Sequence, residues 1–168
     1  NTHLANGGAI PFPAGETVQS GGTLAVIIGD TARKVPVAQV SRYLAGYALA
    51  NDVSLPESSF YRPAIKAKCR DGFCPLGEMG QLENADRLEI VPEINGVEQD
   101  RWSTADLVRS VPELIAAISD FITLQPGDAV LIGTPHQRVA IKPGDEVTVR
   151  AAGLPTLTNR VTQAGAAS

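Results

Sequence analysis

The segment Thr23–Val35 has the sequence TLAVIIGDTARKV, and its first half predicts the fold class most clearly. Leu24–Ile28 is an apolar run rich in β-branched side chains, and it is too short for a helix and stops at Gly29. We therefore predict a buried strand at Leu24–Ile28, with the fold built around the sheet that contains it.

A helix and a second strand are predicted directly after this strand. Pro36 is suited to a helix start, and the apolar residues of VAQVSRYLAGY recur at spacings of three and four: Val37, Val40, Leu44 and Tyr47. This pattern predicts a helix of about three turns that begins near Val37 and ends at Gly46. The next segment, ALANDVS, predicts a short strand that carries Asn51 and Asp52 from the core toward a loop.

Two further patterns in the second half predict a hairpin and a helix. The segment ADRLEIVPEINGVEQDRW contains two strand-like runs joined by Asn95 and Gly96, a pair typical of tight hairpin turns. Pro112 begins a predicted helix with one apolar face that should pack on a sheet. That face consists of Leu114, Ile115, Ile118, Phe121 and Ile122.

Turn and strand patterns alternate after the second helix, so the predicted strands outnumber the helices. The expected class is α+β, mainly β, with two principal helices from about Val37 and Val111. A chain of 168 residues fits one domain over residues 1–168. Within it we expect a Gly/Pro-rich lead-in over 1–22 and a disordered tail over 163–168.

Composition argues against two classes of partner. The formal net charge is −4 and 5% of residues are aromatic, so neither a basic groove nor a stacking platform for nucleic acid is indicated. No apolar run approaches the roughly 20 residues of a membrane helix, and the first residues do not resemble a signal peptide. We expect a cytoplasmic protein that binds neither nucleic acid nor membrane. The start at Asn1 without Met suggests that further residues precede it.

Unusual chemistry is concentrated in Asn51–Gly77, which has the sequence NDVSLPESSFYRPAIKAKCRDGFCPLG. Acidic, basic, amide and thiol side chains occur together in a segment without periodicity, and this density suggests a functional site. Cys69 and Cys74 are too few for a disulfide framework or a zinc site, so we expect two free thiols.

Five motifs in a fixed order resemble the fumarylacetoacetate hydrolase family. They are VIIGDTARKV, AGYALANDVSLPESSFYRPAIKAKCRDGFCPLG, STADLVRSVPELIAAIS, LQPGDAVLIGTP and KPGDEVTV. The match runs from about Ile10 to Val161. AIPFPAGE and FYRPAIKAKCRDGFCP are similar to the first half, or the separate first subunit, of members built from two similar halves.

The resemblance implies a mixed-sheet roll and a metal-dependent reaction. In the family, Mg²⁺ or Mn²⁺ chelates a 2-oxo acid or its enol and stabilises the negative charge that develops on it. The implied activity is decarboxylation and keto–enol isomerisation of a small 2-oxo polycarboxylate. The implied partners are that substrate and either further copies of the chain or a second homologous subunit. An acylpyruvate hydrolase, an oxaloacetate decarboxylase and a non-catalytic partner subunit are the alternatives.

The family motifs also imply particular site residues. Asp52 of ANDVS falls on a metal-ligand position, although an acid after Asn51 could simply close an Asx turn. Lys68, before RDG, could offer its ammonium to the substrate carboxylate or enolate, and Thr134 of GTP could hydrogen-bond another substrate oxygen. The alternative for the lysine is a solvated surface, which suits Lys66 better.

Two arginines of the same segment are candidates for binding the substrate. Arg62 and Arg70 could each hold a carboxylate through paired hydrogen bonds. Arg70 could equally pair with Asp71 or Glu78 and order its own loop.

The sequence departs from the family at the remaining metal ligands. Metal-binding members carry a Glu-x-Glu pair just before the first strand, and here those positions hold Gly21 and Thr23. The family's upstream histidine falls before Asn1, and neither His3 nor His136 matches it. The acidic ligand set is incomplete, so the resemblance implies an altered or vestigial metal site.

Overall fold

The computed structural model describes residues 2–57, 63–134 and 138–164, and strands dominate them. The strands are β1 (His3–Ala5), β2 (Ala9–Phe12), β3 (Val18–Ser20), β4 (Gly22–Ile28), β5 (Leu44–Asn51), β6 (Cys74–Leu76), β7 (Glu89–Ile94), β8 (Val97–Glu98), β9 (Trp102–Ser103), β10 (Ala129–Leu131), β11 (Val139–Ile141), β12 (Glu146–Ala151) and β13 (Leu157–Gln163). The α-helices are α1 (Ile65–Lys68) and α2 (Val111–Phe121), and 3-10 helices span Val37–Tyr43, Ala85–Arg87 and Thr104–Asp106.

The predicted first strand lies inside a five-stranded sheet. The strand order is β1-β6-β5-β4-β10, and β4 pairs antiparallel with both β5 and β10. Leu24, Ala25 and Val26 have no exposed surface. The prediction of a buried strand at Leu24–Ile28 is therefore confirmed.

A six-stranded sheet and a two-stranded sheet complete the architecture. The larger sheet has the order β2-β13-β12-β7-β8, with β9 also on β7, and the smaller one pairs β11 with β3. The pairs β1–β6 and β13–β2 are parallel and the others antiparallel, as expected of a mixed sheet. Asn95 and Gly96 have φ of 53° and 76° between β7 and β8, which confirms the predicted hairpin turn.

Two apolar clusters hold the sheets together. The larger contains Leu24 and Leu49 from the first sheet with Ile90 and Val149 from the second, so the two sheets pack on each other. The smaller cluster consists of Ile10, Val18, Val53, Phe73, Ile141, Val147 and Val161. Because Val53 follows Asp52 directly, the smaller cluster fixes the backbone of the candidate site.

The first predicted helix is shorter and of a different type. A 3-10 helix spans Val37–Tyr43, and the chain then enters β5 at Leu44 rather than continuing to Gly46. Gly46 is a strand residue, and a Cβ there would lie 2.6 Å from the Gly80 carbonyl oxygen. Pairing of β5 with β4 has therefore overridden the helical spacing that includes Leu44 and Tyr47.

The second helix begins as predicted, but the prediction of its buried face was partly wrong. Val111, Ile115 and Ser119 are its buried residues, whereas Phe121 is 74% exposed and Ile122 is 49% exposed. The Ser119 hydroxyl accepts a hydrogen bond from the Val35 backbone N–H (3.0 Å), so a polar residue belongs to the packed face. The sequence pattern could not reveal this partner because it lies on a different segment.

The segment predicted as a lead-in, residues 1–22, contributes three strands, β1, β2 and β3. Ile10 and Val18 in it have no exposed surface. At the other end, β13 includes Gln163, the first residue of the predicted tail, and residues 165–168 lie outside the described part of the chain. Within the described ranges, no helix is long and apolar enough to cross a membrane.

Candidate functional site

The end of β5 places Asp52 beside the turn between β3 and β4. The buried side-chain oxygen of Asn51 accepts hydrogen bonds from the Ser20 hydroxyl (2.9 Å) and the Gly21 N–H (3.0 Å). The Asp52 N–H donates to the Gly21 carbonyl (2.8 Å), and the Val53 N–H donates to the Phe73 carbonyl (3.1 Å). These contacts direct the Asp52 side chain to one side of the β3–β4 turn.

Lys68 reaches Asp52 from α1, a single helical turn at the middle of Asn51–Gly77. The Leu55 N–H donates to the Ala67 carbonyl (3.1 Å), which holds α1 against the chain that follows Asp52. The Lys68 ammonium then donates to Asp52 Oδ2 at 2.7 Å. Lys66 on the same turn is exposed, in agreement with its expected place on a solvated surface.

Arg138 provides a second cation for the same carboxylate. Its Nη2 pairs with Asp52 Oδ2, and its Nε donates to the Asp52 backbone carbonyl at 3.2 Å. Glu57 lies near both cations, 3.6 Å from Lys68 Nζ and 3.8 Å from Arg138 Nη1. We call these four residues, Asp52, Glu57, Lys68 and Arg138, the Asp52 cluster.

The Asp52 cluster is partly buried. Side-chain exposure is 17% for Asp52, 19% for Arg138, 34% for Lys68 and 35% for Glu57. The two positive charges, on Lys68 and Arg138, formally balance the two negative charges of the carboxylates. Because Asp52 and Arg138 are the least exposed, their pairing is screened less by solvent than the outer contacts to Glu57.

Sequence reasoning missed Arg138. It stands 86 residues from Asp52 and four residues after Thr134 of the GTP motif. A basic residue that follows a family motif and precedes the apolar strand β11 was the available signal. His136 lies outside the described residues.

Thr134 lies against the same turn from the opposite direction. The Thr23 hydroxyl donates to the Gly133 carbonyl (2.5 Å), which fixes the backbone just before Thr134. A Cβ placed on Gly21 would lie 3.1 Å from Thr134 Cγ2 and 3.1 Å from Arg138 Cγ. Thr134 and the Asp52 cluster therefore meet at Gly21.

An open cleft of about 420 Å³ begins at Thr134. It is lined by Asp106, Leu107, Val108, Arg109, Leu114, Ile132, Gly133 and Thr134. The lining combines apolar side chains with the Thr134 hydroxyl, the exposed Arg109 guanidinium and the Asp106 carboxylate. A small carboxylate ligand would find both apolar contact and polar recognition there.

Arg70, one of the two arginines predicted to bind substrate, lies outside the Asp52 cluster. Arg70 pairs with Glu16 (3.1 Å), donates to the Lys66 carbonyl (2.8 Å) and lies over the Phe73 ring (5.9 Å). It thus orders its own loop, but through Glu16 rather than through Asp71 or Glu78. Arg62 lies outside the described residues.

Cys74 lies on β6, close enough to Asp52 for the carboxylate charge to affect its thiol. Burial raises the pKa of its thiol, and the negative charge of Asp52 raises that pKa further. Both cysteines are free, and Cys69 is exposed. A raised pKa keeps Cys74 as a neutral thiol near neutrality, so it is poorly suited to act as a nucleophile.

This fold and this arrangement of motifs belong to a known class of enzymes. Residues 1–162 match the C-terminal domain of the fumarylacetoacetate (FAA) hydrolase family, so the chain is a member of that family.

One relative is the 4-hydroxyphenylacetate degradation bifunctional isomerase/decarboxylase of Escherichia coli. It is 60% identical over 161 residues, which are 96% of this chain and 38% of that protein. The chain therefore spans well under half the length of this relative.

Two solved structures show the same fold. The 2-hydroxyhepta-2,4-diene-1,7-dioate isomerase of Mycobacterium marinum has a TM-score of 0.92 and 32% identity, with 98% of this chain and 66% of that one covered. A maleylpyruvate hydrolase of Sphingobium sp. SYK-6, solved with manganese(II) and pyruvate, has a TM-score of 0.86 and 27% identity. That match covers 97% of this chain and 62% of the hydrolase.

The residues around Asp52 do not fit a divalent metal ion of the kind found in the hydrolase. Such ions need several oxygen ligands, and the Asp52 carboxylate is already bound by two cations. Among the described residues, no three His, Cys, Asp or Glu side chains are grouped closely enough to hold a metal. No step of a reaction is therefore assigned here to a metal bound by this chain.

Proposed function

We propose that this chain is one half, or one subunit, of an enzyme that decarboxylates 5-oxopent-3-ene-1,2,5-tricarboxylate and isomerises 2-hydroxyhepta-2,4-diene-1,7-dioate in 4-hydroxyphenylacetate degradation. The observation that carries the proposal is the 60% identity to the bifunctional isomerase/decarboxylase over 96% of the chain. Family membership supports the reaction class, a transformation of 2-oxo acids.

Lys68 of the Asp52 cluster and Thr134 at the neighbouring cleft are the donors that support a polycarboxylate substrate. The Lys68 ammonium has three N–H donors, and Asp52 takes one of them at 2.7 Å. Another could bind a substrate carboxylate or enolate oxygen, while the Thr134 hydroxyl binds a neighbouring oxygen. Arg109 on the cleft wall would suit a distal carboxylate. Substrate roles for Arg62 and Arg70 remain predictions.

A second candidate function is that of a non-catalytic partner subunit. It is favoured by the crowded surroundings of Asp52, since a family site that depends on Mg²⁺ or Mn²⁺ would have to be supplied by another subunit. The partner would be a homologous chain or half that retains the Glu-x-Glu pair. A homo-oligomer is the alternative assembly.

Turnover assays on both substrates separate these functions. The unaltered chain is assayed alone and in a mixture with the homologous second half. The K68A and T134A variants of this chain are each assayed in the same mixture, and Mg²⁺ is present throughout. We expect activity in the mixture, reduced at least tenfold by either variant if this chain contributes to the reacting site. Activity in the mixture that neither variant changes would identify a non-catalytic subunit. Turnover of acylpyruvates or oxaloacetate instead of both substrates would contradict the proposal.

A further inference from the structure

Gly21 leaves a space that Arg138 fills. Its φ is not in the left-handed region, so the backbone there does not require glycine. A Cβ would lie 3.1 Å from Arg138 Cγ and 3.3 Å from Arg138 Nε, closer than side chains normally pack. A side chain at position 21 would therefore require Arg138, and also Thr134 Cγ2 at 3.1 Å, to shift by at least a few tenths of an ångström.

Arg138 is fixed by the group whose charge it neutralises. Its guanidinium pairs with the Asp52 carboxylate and also donates to the Asp52 backbone carbonyl at 3.2 Å. Only 19% of the side chain is exposed, which is low for an arginine. Two contacts to one residue hold the guanidinium in one orientation, as a planar donor allows.

Thr23 stands two residues after Gly21, at the second position where the resemblance implies a carboxylate. It is fully buried, and its hydroxyl is engaged with the Gly133 carbonyl. A carboxylate at this position would be buried and would need a compensating cation. Arg138 is a cation that lies against Gly21, two residues earlier in the chain.

We propose that Arg138 is a built-in cation that replaces a divalent metal ion in this chain: it shares the neutralisation of Asp52 with Lys68, and it lies in the space beside Gly21. This proposal rests on family membership and on the contacts of Arg138, not on the proposed function. It implies that the loss of acidic ligands at positions 21 and 23 is coupled to the arginine at position 138. Restoring the acids alone would then bring them against a guanidinium rather than a metal.

Manganese binding in the absence of substrate tests this coupling. Mn²⁺ is titrated, with free ion followed by electron paramagnetic resonance, into the unaltered chain, G21E/T23E and G21E/T23E/R138S. We expect one Mn²⁺ to bind the triple variant at least tenfold more tightly than the double variant, and the unaltered chain more weakly than either. G21E/T23E/R150S is the matched control, because Arg150 pairs with Glu93 on the surface.

Two results would overturn the proposal. One is stoichiometric Mn²⁺ binding by the unaltered chain that D52N abolishes. The other is a folded triple variant, judged by circular dichroism, that binds no more tightly than the double variant.

If the multiple variants do not fold, R138A gives a second test. Removal of the built-in cation leaves Asp52 with less compensation, so R138A should lower the melting temperature of the unaltered chain more than it lowers that of D52N, whereas R150A should lower both by the same amount. Equal responses of R138A and R150A would contradict the proposal. Neither readout requires enzyme activity, so the proposed function can fail without this inference failing.

Discussion

At the scale of single residues, Asp52 connects most of the site. Its carboxylate binds Lys68 and Arg138, its N–H binds the Gly21 carbonyl, and its charge acts on Cys74. Removing one member of a partly buried ion pair leaves the remaining charge without compensation. The loss of stability is then larger than the contribution of an exposed ion pair. The acid thus has a structural role whatever it contributes to substrate binding.

The two cysteines should differ in their reaction with iodoacetamide. Cys69 is exposed, whereas Cys74 is partly buried and has a raised pKa, so Cys69 should be alkylated first at neutral pH. The rate at Cys74 should rise with pH, with a midpoint above that of an ordinary thiol. Mass spectrometry of each peptide against pH measures both.

A charge variant provides the control for the cysteines. In D52N the midpoint for Cys74 should move to lower pH, because loss of a nearby negative charge favours the thiolate. A midpoint that stayed in place in D52N would mean that burial alone raises the pKa. Equal rates at Cys69 and Cys74 at neutral pH would contradict the assignment.

At the scale of elements, local capping explains why α2 begins where the sequence predicted. The Ser110 hydroxyl accepts from the Glu113 N–H (3.4 Å), and the Glu113 carboxylate accepts from the Ser110 backbone N–H (2.9 Å). This reciprocal arrangement is a capping box, completed by Pro112 in the first turn. The start of α2 is thus set by neighbours in sequence.

Removal of this cap should destabilise the protein measurably. S110A is expected to lower the free energy of unfolding by about 1 kcal/mol, as loss of a serine N-cap usually does. Urea denaturation followed by circular dichroism gives the value, and S41A, an exposed serine in the first 3-10 helix, is the control. A loss no larger than that of S41A would show that the cap contributes nothing.

The cap should also depend on pH. Hydrogen bonds from the backbone and side chain of Ser110 lower the pKa of Glu113 below its usual value of 4.5. A depressed folded-state pKa gives stability that is present above the unfolded value and is lost as pH falls through the folded value. The difference between S110A and the unaltered chain should therefore shrink in acid.

At the scale of the whole molecule, residues 2–22 are part of the packed structure rather than an appendage. β2 pairs in parallel with β13, near the other end of the chain, and Ile10 belongs to the smaller apolar cluster. That cluster also contains Val53 and Phe73, which flank the loop of Asp52. The start of the chain therefore supports the candidate site.

A comparison of two isoleucines tests this support. I10A should destabilise the protein by about 2–5 kcal/mol, because it leaves a cavity in a fully buried position. I65A, at a side chain that is 62% exposed, should change the free energy of unfolding by less than about 0.5 kcal/mol. Thermal or urea unfolding measures both, and similar small losses would show that the N-terminal strands are dispensable.

The sequence by itself determined the elements whose causes are local. The buried strand at Leu24–Ile28, the turn at Asn95 and Gly96 and the start of α2 were all predicted, since an apolar run, a left-handed pair and a capping box act between near neighbours. The family motifs also implied Asp52, Lys68 and Thr134 as candidate site residues, and the fold brings them to the same turn, while their roles stay predictions.

Only the tertiary structure decided the features that depend on distant partners. Leu44 and Tyr47 lie in a strand because β5 pairs with β4, although their spacing in the sequence is helical. Glu16 pairs with Arg70 across 54 residues, and Arg138 meets Asp52 across 86 residues. Such pairs leave no periodic trace in the sequence, because a salt bridge depends on where the fold places two charges and not on their separation along the chain.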